Sequence, residues 1–407
     1  MAQRLYCPSA VRRLAPLLLL FASCSDPTPH SVGPRVRLWH AFSPLETEAL
    51  NEFLGTYSPA VESTLLPFSR AQHIVRDTLD AGEDCPDLVR IDATWLPGLA
   101  RRKLIHSVPK GVQARAWLPE AAAFASFGPI EYGFPQAIDG LALIYDPKRI
   151  AAAGAEWPPQ TINDLIAVAH RLTIDGTYGM SVRVDGYWFV AFLRAWGGDV
   201  LDPAAAILGV DAPVAATALT RFAALFGPGG VAPPPPAPGR EASTTARRFR
   251  DGEVAIVVDG PWAVAELRGG GGDLAVAPFP KDPVGRPAAP LGGALFVVPK
   301  CAADPDAAWQ LARALTDPEL QASWSQRLGV VPTTEAGLAK AGPFAQQFRV
   351  ALQQARPLPR HPVSAEMFDD LTPAVTAVVA GDASAEQALA GVARAWTRLL
   401  AREEPRR

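Results

Sequence analysis

The stretch of residues 131–147 constrains the fold more than any other part of this chain. Its first half is interrupted by a glycine and a proline, Asp139-Gly140 can form a turn, and residues 141–145 are a short apolar run. The pattern predicts a strand that leaves one lobe, a polar hinge, and a strand that enters a second lobe. Loops at such a crossing can hold a ligand on a rigid scaffold. Alternatively, Asp139 only forms an Asx turn with Gly140.

The remaining pattern is that of an α/β protein with more than one domain. A chain of 407 residues predicts two or three domains, and its net charge of -3 gives no reason to expect nucleic acid as a partner. Strand patterns at 35–42 and 85–92 are each followed by a helical pattern, which indicates parallel sheets covered on both faces. Ligands bind beyond the carboxyl ends of such strands, here near Trp39-His40 and Asp92 to Trp95.

The N-terminus has the pattern of an export signal. Basic residues precede an apolar run at 14–23 that is too short to span a bilayer. The run ends in Phe-Ala-Ser-Cys at 21–24, which resembles the lipobox of bacterial lipoproteins, where the cysteine receives lipid and becomes the first mature residue. We therefore expect a signal peptide over 1–23, lipidation at Cys24 and a flexible tether over 24–34. Simple secretion is the alternative.

Cysteine usage leaves one question open. Of the four cysteines, Cys7 and Cys24 belong to the signal and the anchor, so Cys85 and Cys301 remain. An exported compartment permits a disulfide between them, and two buried free thiols fit the sequence equally well. With no Cys-x-x-Cys pair and no partner histidines, the sequence predicts neither a metal site nor a cofactor.

Catalytic motifs are missing from the sequence. It contains no His-Glu-x-x-His, no Gly-x-Ser-x-Gly and no Walker loop, so we predict no catalytic residue and no enzyme activity. Asp139 and Asp185 could imitate the two carboxylates of a glycosidase, which leaves an exported glycoside-active enzyme as a remote alternative. The same carboxylates can accept hydrogen bonds from sugar hydroxyls. Aromatic residues at Trp39, Trp95 and Trp262 would supply faces for the sugar rings.

Several segments in a fixed order resemble the extracellular solute-binding proteins of bacterial ABC importers, in the maltose-type carbohydrate-binding group. These segments are residues 38–42, 85–95, 133–146, 157–165, 249–262 and 329–333. The resemblance implies the two-lobed periplasmic-binding-protein fold, type II-like, in which each lobe is a mainly parallel sheet flanked by helices. It also implies several crossings between the lobes. We expect an N-terminal lobe of 35–138 plus 290–330 and a C-terminal lobe of 139–289 plus 331–407.

The resemblance also implies site residues. Asp139 matches the acidic sugar ligand at the first crossing, Asp185 and Tyr187 match an acid and an aromatic, and Trp262 matches a stacking tryptophan, with Asp259 in place of asparagine. The full expected ligand-binding set is Trp39, His40, Asp92, Trp95, Asp139, Asp185, Tyr187, Trp188, Asp259, Trp262 and Gly293. The family's late aromatic has only Met367 and Phe368 as counterparts, with no tryptophan, which weakens an assignment to maltose itself.

The expected function is that of a substrate-binding lipoprotein of an ABC importer. It would capture a disaccharide or short oligosaccharide between its lobes and deliver it to the membrane permease, behind which a cytoplasmic ATPase works. The expected state is a monomer, anchored to the membrane by lipid and facing the periplasm or cell exterior. A polyol, glycerol phosphate or a polyamine is the alternative ligand on the same scaffold, and the charge of the cleft discriminates among them.

Overall fold

The structure is a computed structural model that describes residues 35–112, 115–174, 176–202, 207–237, 239–269, 271 and 273–403. The predicted signal peptide, Cys24 and the predicted tether lie outside the described residues. The strands are β1 Val36–His40, β2 Val61–Leu65, β3 Leu88–Asp92, β4 Ser126–Phe127, β5 Ile130–Glu131, β6 Gly133–Gly140, β7 Ala142–Tyr145, β8 Tyr178–Val182, β9 Leu201–Asp202, β10 Ile207–Leu208, β11 Val254–Asp259, β12 Ala275–Ala277, β13 Ala289–Val297 and β14 Ala355–Pro357.

The helices cover both sheets. They are α1 Pro44–Leu54, α2 Phe68–Ala81, α3 Leu96–Arg101, α4 Pro119–Ala125, α5 Pro147–Ala152, α6 Ile162–Leu172, α7 Gly186–Ala195, α8 Pro213–Ala224, α9 Glu241–Arg250, α10 Val264–Arg268, α11 Pro305–Leu315, α12 Pro318–Leu328, α13 Glu335–Ala339, α14 Pro343–Leu352, α15 Met367–Ala380 and α16 Ala385–Glu403. Short 3-10 turns occur at Gly209–Asp211 and Pro261–Ala263.

Each lobe is built on one of two main sheets. In the first sheet β2, β1, β3 and β13 are neighbours in that order, and both β6 and β14 pair with β13. The second sheet has the order β12-β7-β11-β8. The predicted α/β class is confirmed, but the prediction of mainly parallel sheets is wrong for the second sheet, where β7 runs antiparallel to both β11 and β12. The reason is that β7 arrives from a crossing and not from a covering helix, which a parallel connection would need.

The crossing between the lobes has the form that the sequence predicts. Strand β6 ends at Gly140 and β7 begins at Ala142, so Leu141 alone separates a strand of the first sheet from a strand of the second. Strand β13 runs antiparallel to β6, with Gly292 opposite Asp139. The backbone N–H of Ile138 donates to the carbonyl of Val331 at 3.0 Å, which brings a third segment to the same place.

Gly293 belongs to the close packing of this crossing. A Cβ atom at residue 293 would lie 2.4 Å from the ring of Phe124 and 2.5 Å from the carbonyl oxygen of Ala137. Any larger residue would push β13 away from its neighbours. The backbone carbonyl of Gly293 accepts a hydrogen bond from Ala93 at 2.9 Å. The structure therefore gives this predicted site residue a structural role beside Asp92.

Local capping signals set the starts of the helices that surround the site. Ser43 accepts from the Glu46 N–H while the Glu46 carboxylate accepts from the Ser43 N–H at 2.9 Å, which is the predicted capping box of α1. Thr161 and Asp164 form the second predicted box, at the start of α6. These interactions satisfy N–H groups that the first helical turn leaves without a backbone acceptor.

A disulfide resolves the alternative that the sequence leaves open. Cys85 and Cys301 are bonded, with their Cα atoms 5.9 Å apart. Cys85 precedes β3 and Cys301 follows β13, so the bond joins the ends of two neighbouring strands of the first sheet. Among the helices of the described ranges, none has the length and apolar character needed to cross a membrane.

Candidate functional site

Two acids and a tyrosine come together at the crossing. A Cβ atom built on Gly292 would lie 3.1 Å from Oδ1 of Asp139 and 4.0 Å from the hydroxyl of Tyr187. Asp139 belongs to β6 and Tyr187 to the first turn of α7, so groups from both lobes converge here. Asp92, at the carboxyl end of β3, accepts from the N–H and hydroxyl of Thr94 at 2.8 and 2.5 Å. These predicted ligand residues therefore lie where the α/β pattern places a binding site.

The acids of this crossing repel one another. Burial, and secondly the charges of Asp92 and Glu46, raise the pKa of Asp139 to about 8 against the opposing effect of Arg90. Burial also raises the pKa of Asp92. The pKa of Tyr187 lies well above its usual value because of burial and the nearby charges of Asp139 and Asp92. At neutral pH Asp139 therefore holds a proton in the free protein and can both donate and accept a hydrogen bond.

Arg90 is the cation beside Asp92 and Asp139, and it was not among the site residues predicted from the sequence. Its Nε donates to Oε1 of Gln136 at 3.0 Å, and its guanidinium carbon lies 4.2 Å from the ring centre of Phe42. Glu46, which is buried and also forms the capping box of α1, was not predicted to lie near the site either. A signal existed for Arg90, because alternate residues of β3 share a face and Asp92 is two positions further on.

His40 is held by the protein itself. Its side chain is 2% exposed, its Nε2 lies 2.9 Å from the hydroxyl of Ser63, and its Nδ1 accepts from the Phe42 N–H at 3.3 Å. Burial, and secondly the charge of Arg90, lower the pKa of His40 to about 4. The imidazole is thus neutral at pH 7, with both nitrogens engaged. Its neighbour Trp39 is half-buried against the hydrophobic core that includes β3.

The second lobe contributes the start of α7. Asp185 caps this helix, since its carboxylate accepts from the Tyr187 N–H at 2.7 Å, and burial raises its pKa. The Tyr187 ring packs against Trp188 and Phe368, with ring centres 5.6 and 6.3 Å apart. The geometry gives Asp185 a capping role and brings Phe368, named from the sequence as a counterpart of the family's late aromatic, to Tyr187.

Trp262 stands on a rigid support. It lies on the 3-10 turn after β11, is half-buried, and its side-chain N–H interacts with the carboxylate of Asp259. Asp259 is buried, accepts from the Gly260 N–H at 2.9 Å, and has a pKa raised by burial. The ring of Trp262 meets that of Trp188 edge-on, with centres 6.3 Å apart and an 80° angle between the planes.

Trp188 supplies that support from the core. It is 6% exposed, its Nε1 donates to the carbonyl of Val258 at 2.7 Å, and the guanidinium of Arg183 lies 4.5 Å from its ring centre. The structure thus places Trp188 behind Trp262, as packing for the half-exposed ring. Of the two aromatic candidates here, Trp262 is the one with a free edge.

Trp95 lies at another part of the boundary between the lobes. It is half-buried at the start of α3 and, with Arg76 and Glu366, lines a cavity of about 20 Å³, which is room for one water molecule. A Cβ atom on Gly98 would lie 2.7 Å from the carbonyl oxygen of Pro362. Trp95 therefore sits where α3 meets the segment that leads into α15.

Two α/β lobes joined by crossings, with acids and aromatics where they meet, define a protein that holds a ligand between its lobes. Residues 69–346 match the family model of the bacterial extracellular solute-binding proteins. The chain belongs to this family, which makes it an exported solute-binding protein.

Relatives agree with this fold over most of their length. The chain is 24% identical to the maltotriose-binding protein of Pyrococcus abyssi over 345 residues, which are 81% of this chain and 74% of the relative. It superposes on the GacH receptor of Streptomyces glaucescens, whose structures include a complex with acarbose, with a TM-score of 0.80, 24% identity and coverage of 90% and 98% of the two chains. It also superposes on UgpB of Mycobacterium tuberculosis, in complex with glycerophosphocholine, with a TM-score of 0.78 and 18% identity, and the match covers 91% of this chain and 99% of UgpB. The predicted two-lobed fold is confirmed.

Proposed function

We propose that the protein captures a disaccharide or short oligosaccharide at the crossing and delivers it to the permease of an ABC importer powered by a cytoplasmic ATPase. The observation that carries this proposal is the pairing of a half-exposed Trp262, fixed by Asp259 and Trp188, with Asp139 and Tyr187 at the crossing. An aromatic face suits the C–H surface of a sugar ring, and the polar groups suit its hydroxyls. The names of the Pyrococcus and Streptomyces relatives support a carbohydrate.

The charge of the site favours a neutral sugar over glycerol phosphate. Glycerol phosphate is a candidate because UgpB, which has a similar fold, was solved in complex with glycerophosphocholine. A phosphate at the crossing would meet Asp92 and Asp139, whose pKa values are raised by burial, whereas Arg90 is already engaged by Gln136 and Phe42. A phosphate would thus meet more acid than base. A polyamine fits the acids but makes no use of an aromatic platform for a ring.

A thermal-shift screen tests the ligand class. We expect maltotriose or another short oligosaccharide to raise the melting temperature, because a ligand that binds only the folded protein stabilises it. Glycerol 3-phosphate, a polyol and spermidine serve as the competing probes. A shift given by one of these alone would overturn the carbohydrate proposal. Release of free sugar from an oligosaccharide on prolonged incubation would instead favour a glycoside-active enzyme.

Lipid anchoring is the second part of the proposal, and it rests on the lipobox-like residues 21–24 of the sequence. We infer that Cys24 carries lipid and holds a monomer at the membrane, facing the periplasm or cell exterior. Cys24→Ser should move the protein from the membrane fraction to the soluble fraction without a change in sugar affinity. Unchanged retention in the membrane fraction would contradict the anchor.

The lobe limits remain a proposal as well: 35–138 plus 290–330 for the N-terminal lobe, and 139–289 plus 331–407 for the C-terminal lobe. The sheets support most of this division, since β1 to β3 fall in the first set and β7, β8, β11 and β12 in the second. Strand β14 belongs to the second set by position and pairs with the start of β13, which is itself a crossing strand.

A further inference from the structure

A group of ion pairs joins the two lobes outside the crossing. Arg76 of α2 donates to Oε1 of Glu366 at 3.2 Å, and Arg102, directly after α3, has its Nη2 3.8 Å from the same oxygen. His73, one turn before Arg76, places Nε2 3.2 Å from Oδ1 of Asp369 in the first turn of α15. Glu366 thus receives two guanidinium groups at once.

The partners of these ion pairs are fixed to different lobes. Val75 and Leu99 bury α2 and α3 in the same hydrophobic core as Ile91 of β3. Met367 and Leu371 bury α15 in the core of the second sheet. Glu366, which immediately precedes α15, therefore moves with the second lobe, while its two arginines move with the first.

Each arginine also has a partner in its own lobe. Arg76 contacts Asp77 at 3.0 Å and Arg102 contacts Asp80 at 2.9 Å. These contacts hold both guanidinium groups in place whether or not Glu366 is present, so little side-chain order is lost when the pair with Glu366 forms. The side chains of Arg76 and Glu366 are only 24% and 20% exposed, which reduces screening by salt.

We propose that Glu366 is a positioning residue for ligand capture, which holds the lobes together through Arg76 and Arg102. The inference rests on the proposed function, because a ligand held between two lobes leaves only when they part. An ion pair that exists only while the lobes touch stabilises that state alone and shifts the population towards it. Its effect falls on the dissociation rate of the ligand more than on the association rate.

Glu366→Gln tests this role because it removes the charge and keeps the shape. In stopped-flow tryptophan fluorescence with maltotriose, we expect the dissociation rate to rise roughly two- to tenfold, the range for two partly shielded pairs. The association rate should change less than the dissociation rate. The difference between variant and wild type should shrink at high salt.

Glu52→Gln is the matched control, because it breaks an ion pair with Arg327 between α1 and α12, whose buried faces share the core of the first lobe. It should leave the dissociation rate unchanged. In a double-mutant cycle, Arg76→Gln should raise the dissociation rate less in the Glu366→Gln background than in the wild type, because Glu366→Gln has already broken the Arg76–Glu366 pair. Equal dissociation rates for wild type and Glu366→Gln, or an equal effect of Glu52→Gln, would overturn the proposal.

A wrong sugar assignment can be distinguished from a wrong role of Glu366. If maltotriose does not bind the wild type, the rates are measured with whichever probe of the thermal-shift screen does. If none binds, small-angle scattering on the free protein at low salt decides: Glu366→Arg should increase the radius of gyration, because it places three cations together at the contact. An unchanged radius would then overturn the role of Glu366.

Discussion

The aromatic wall of the site and its polar floor are built in opposite ways. We define the wall as Trp188, Asp259 and Trp262, and the floor as Asp92 and Asp139. In the wall the protein itself holds the rings: Trp188 donates to a backbone carbonyl and meets Trp262 edge-on, and the side-chain N–H of Trp262 interacts with Asp259. In the floor, burial raises the pKa of both acids, and the charge of Asp92 also raises that of Asp139.

The contacts of the wall are thus made within the protein, whereas the acids of the floor can gain further partners from a ligand. A satisfied, packed wall is a preformed surface that needs no rearrangement to meet a ring. Buried acids with raised pKa values gain from a ligand whose hydroxyls form hydrogen bonds with them. The wall should therefore give shape selectivity, and the floor should give the dependence of binding on pH.

Trp188→Ala carries the largest expected effect and tests the wall as a packed unit. Loss of a buried tryptophan should lower the free energy of unfolding by about 3–5 kcal/mol, as for other large-to-small core changes. It should also weaken maltotriose binding, because Trp262 loses its support. Trp309→Ala in the core of the first lobe is the control, since Trp309 is 3% exposed. Unfolding and calorimetry on both variants should show equal destabilisation but an affinity loss for Trp188→Ala alone.

Asp139 tests the floor. Asp139→Ala should weaken binding roughly tenfold to a hundredfold, because the protonated acid can both donate and accept a hydrogen bond and each is worth about 0.5–1.5 kcal/mol. Asp139→Asn imitates the protonated acid, so it should bind nearly as well as the wild type at pH 6. The affinities of the two proteins should differ increasingly as pH rises through about 8, because residue 139 ionises only in the wild type. Calorimetry that shows a constant affinity ratio from pH 6 to 9 would contradict this account.

Trp262→Ala tests the stacking face directly. A ring platform contributes on the order of 1–3 kcal/mol, by analogy with aromatic platforms for other flat ligands, so affinity should fall roughly fivefold to a hundredfold. Apo stability should change little, because the ring is half-buried. Trp262→Phe should retain part of the affinity. A large fall in melting temperature with unchanged affinity of the folded fraction would show that Trp262 is a core residue.

His40 concerns the strand beside the floor, and its effect appears only at acid pH. Its pKa is lowered to about 4 in the folded protein, so the unfolded chain binds the proton first as pH falls. The contribution of His40 to stability is therefore present above about pH 6.5 and is lost as pH falls towards 4. His40→Gln should show a shallower fall in melting temperature over this range than the wild type. Parallel curves for the two proteins would contradict the assignment.

Local signals predicted the parts of this molecule that depend on neighbours in sequence. The capping boxes at Ser43 and Thr161 and the strand–hinge–strand pattern around Asp139 appear as expected, because the interacting groups are few residues apart. Asp139 and Trp262 were placed near a lobe boundary by their motifs.

Contacts between distant segments could not be predicted in this way. Arg90 and Glu46 act on Asp139 of the floor only because β3 and the start of α1 meet β6 in space. The burial of Trp188 depends on which face of α7 packs on β11, and both faces of that helix are apolar. The direction of β7 depends on its neighbours in the sheet, which lie more than a hundred residues further along the chain.

The Cys85–Cys301 bond has a consequence for the order in which the protein assembles. All strands of the second sheet lie between residues 142 and 277, whereas the first sheet needs β13, which begins at residue 289. A chain that emerges from its N-terminus exposes Cys85 first, and this thiol has to wait for 216 further residues before its partner appears. The N-terminal lobe is thus the later of the two to complete its sheet. Its disulfide can form only after β13, which pairs with both β3 and β6, has been synthesised.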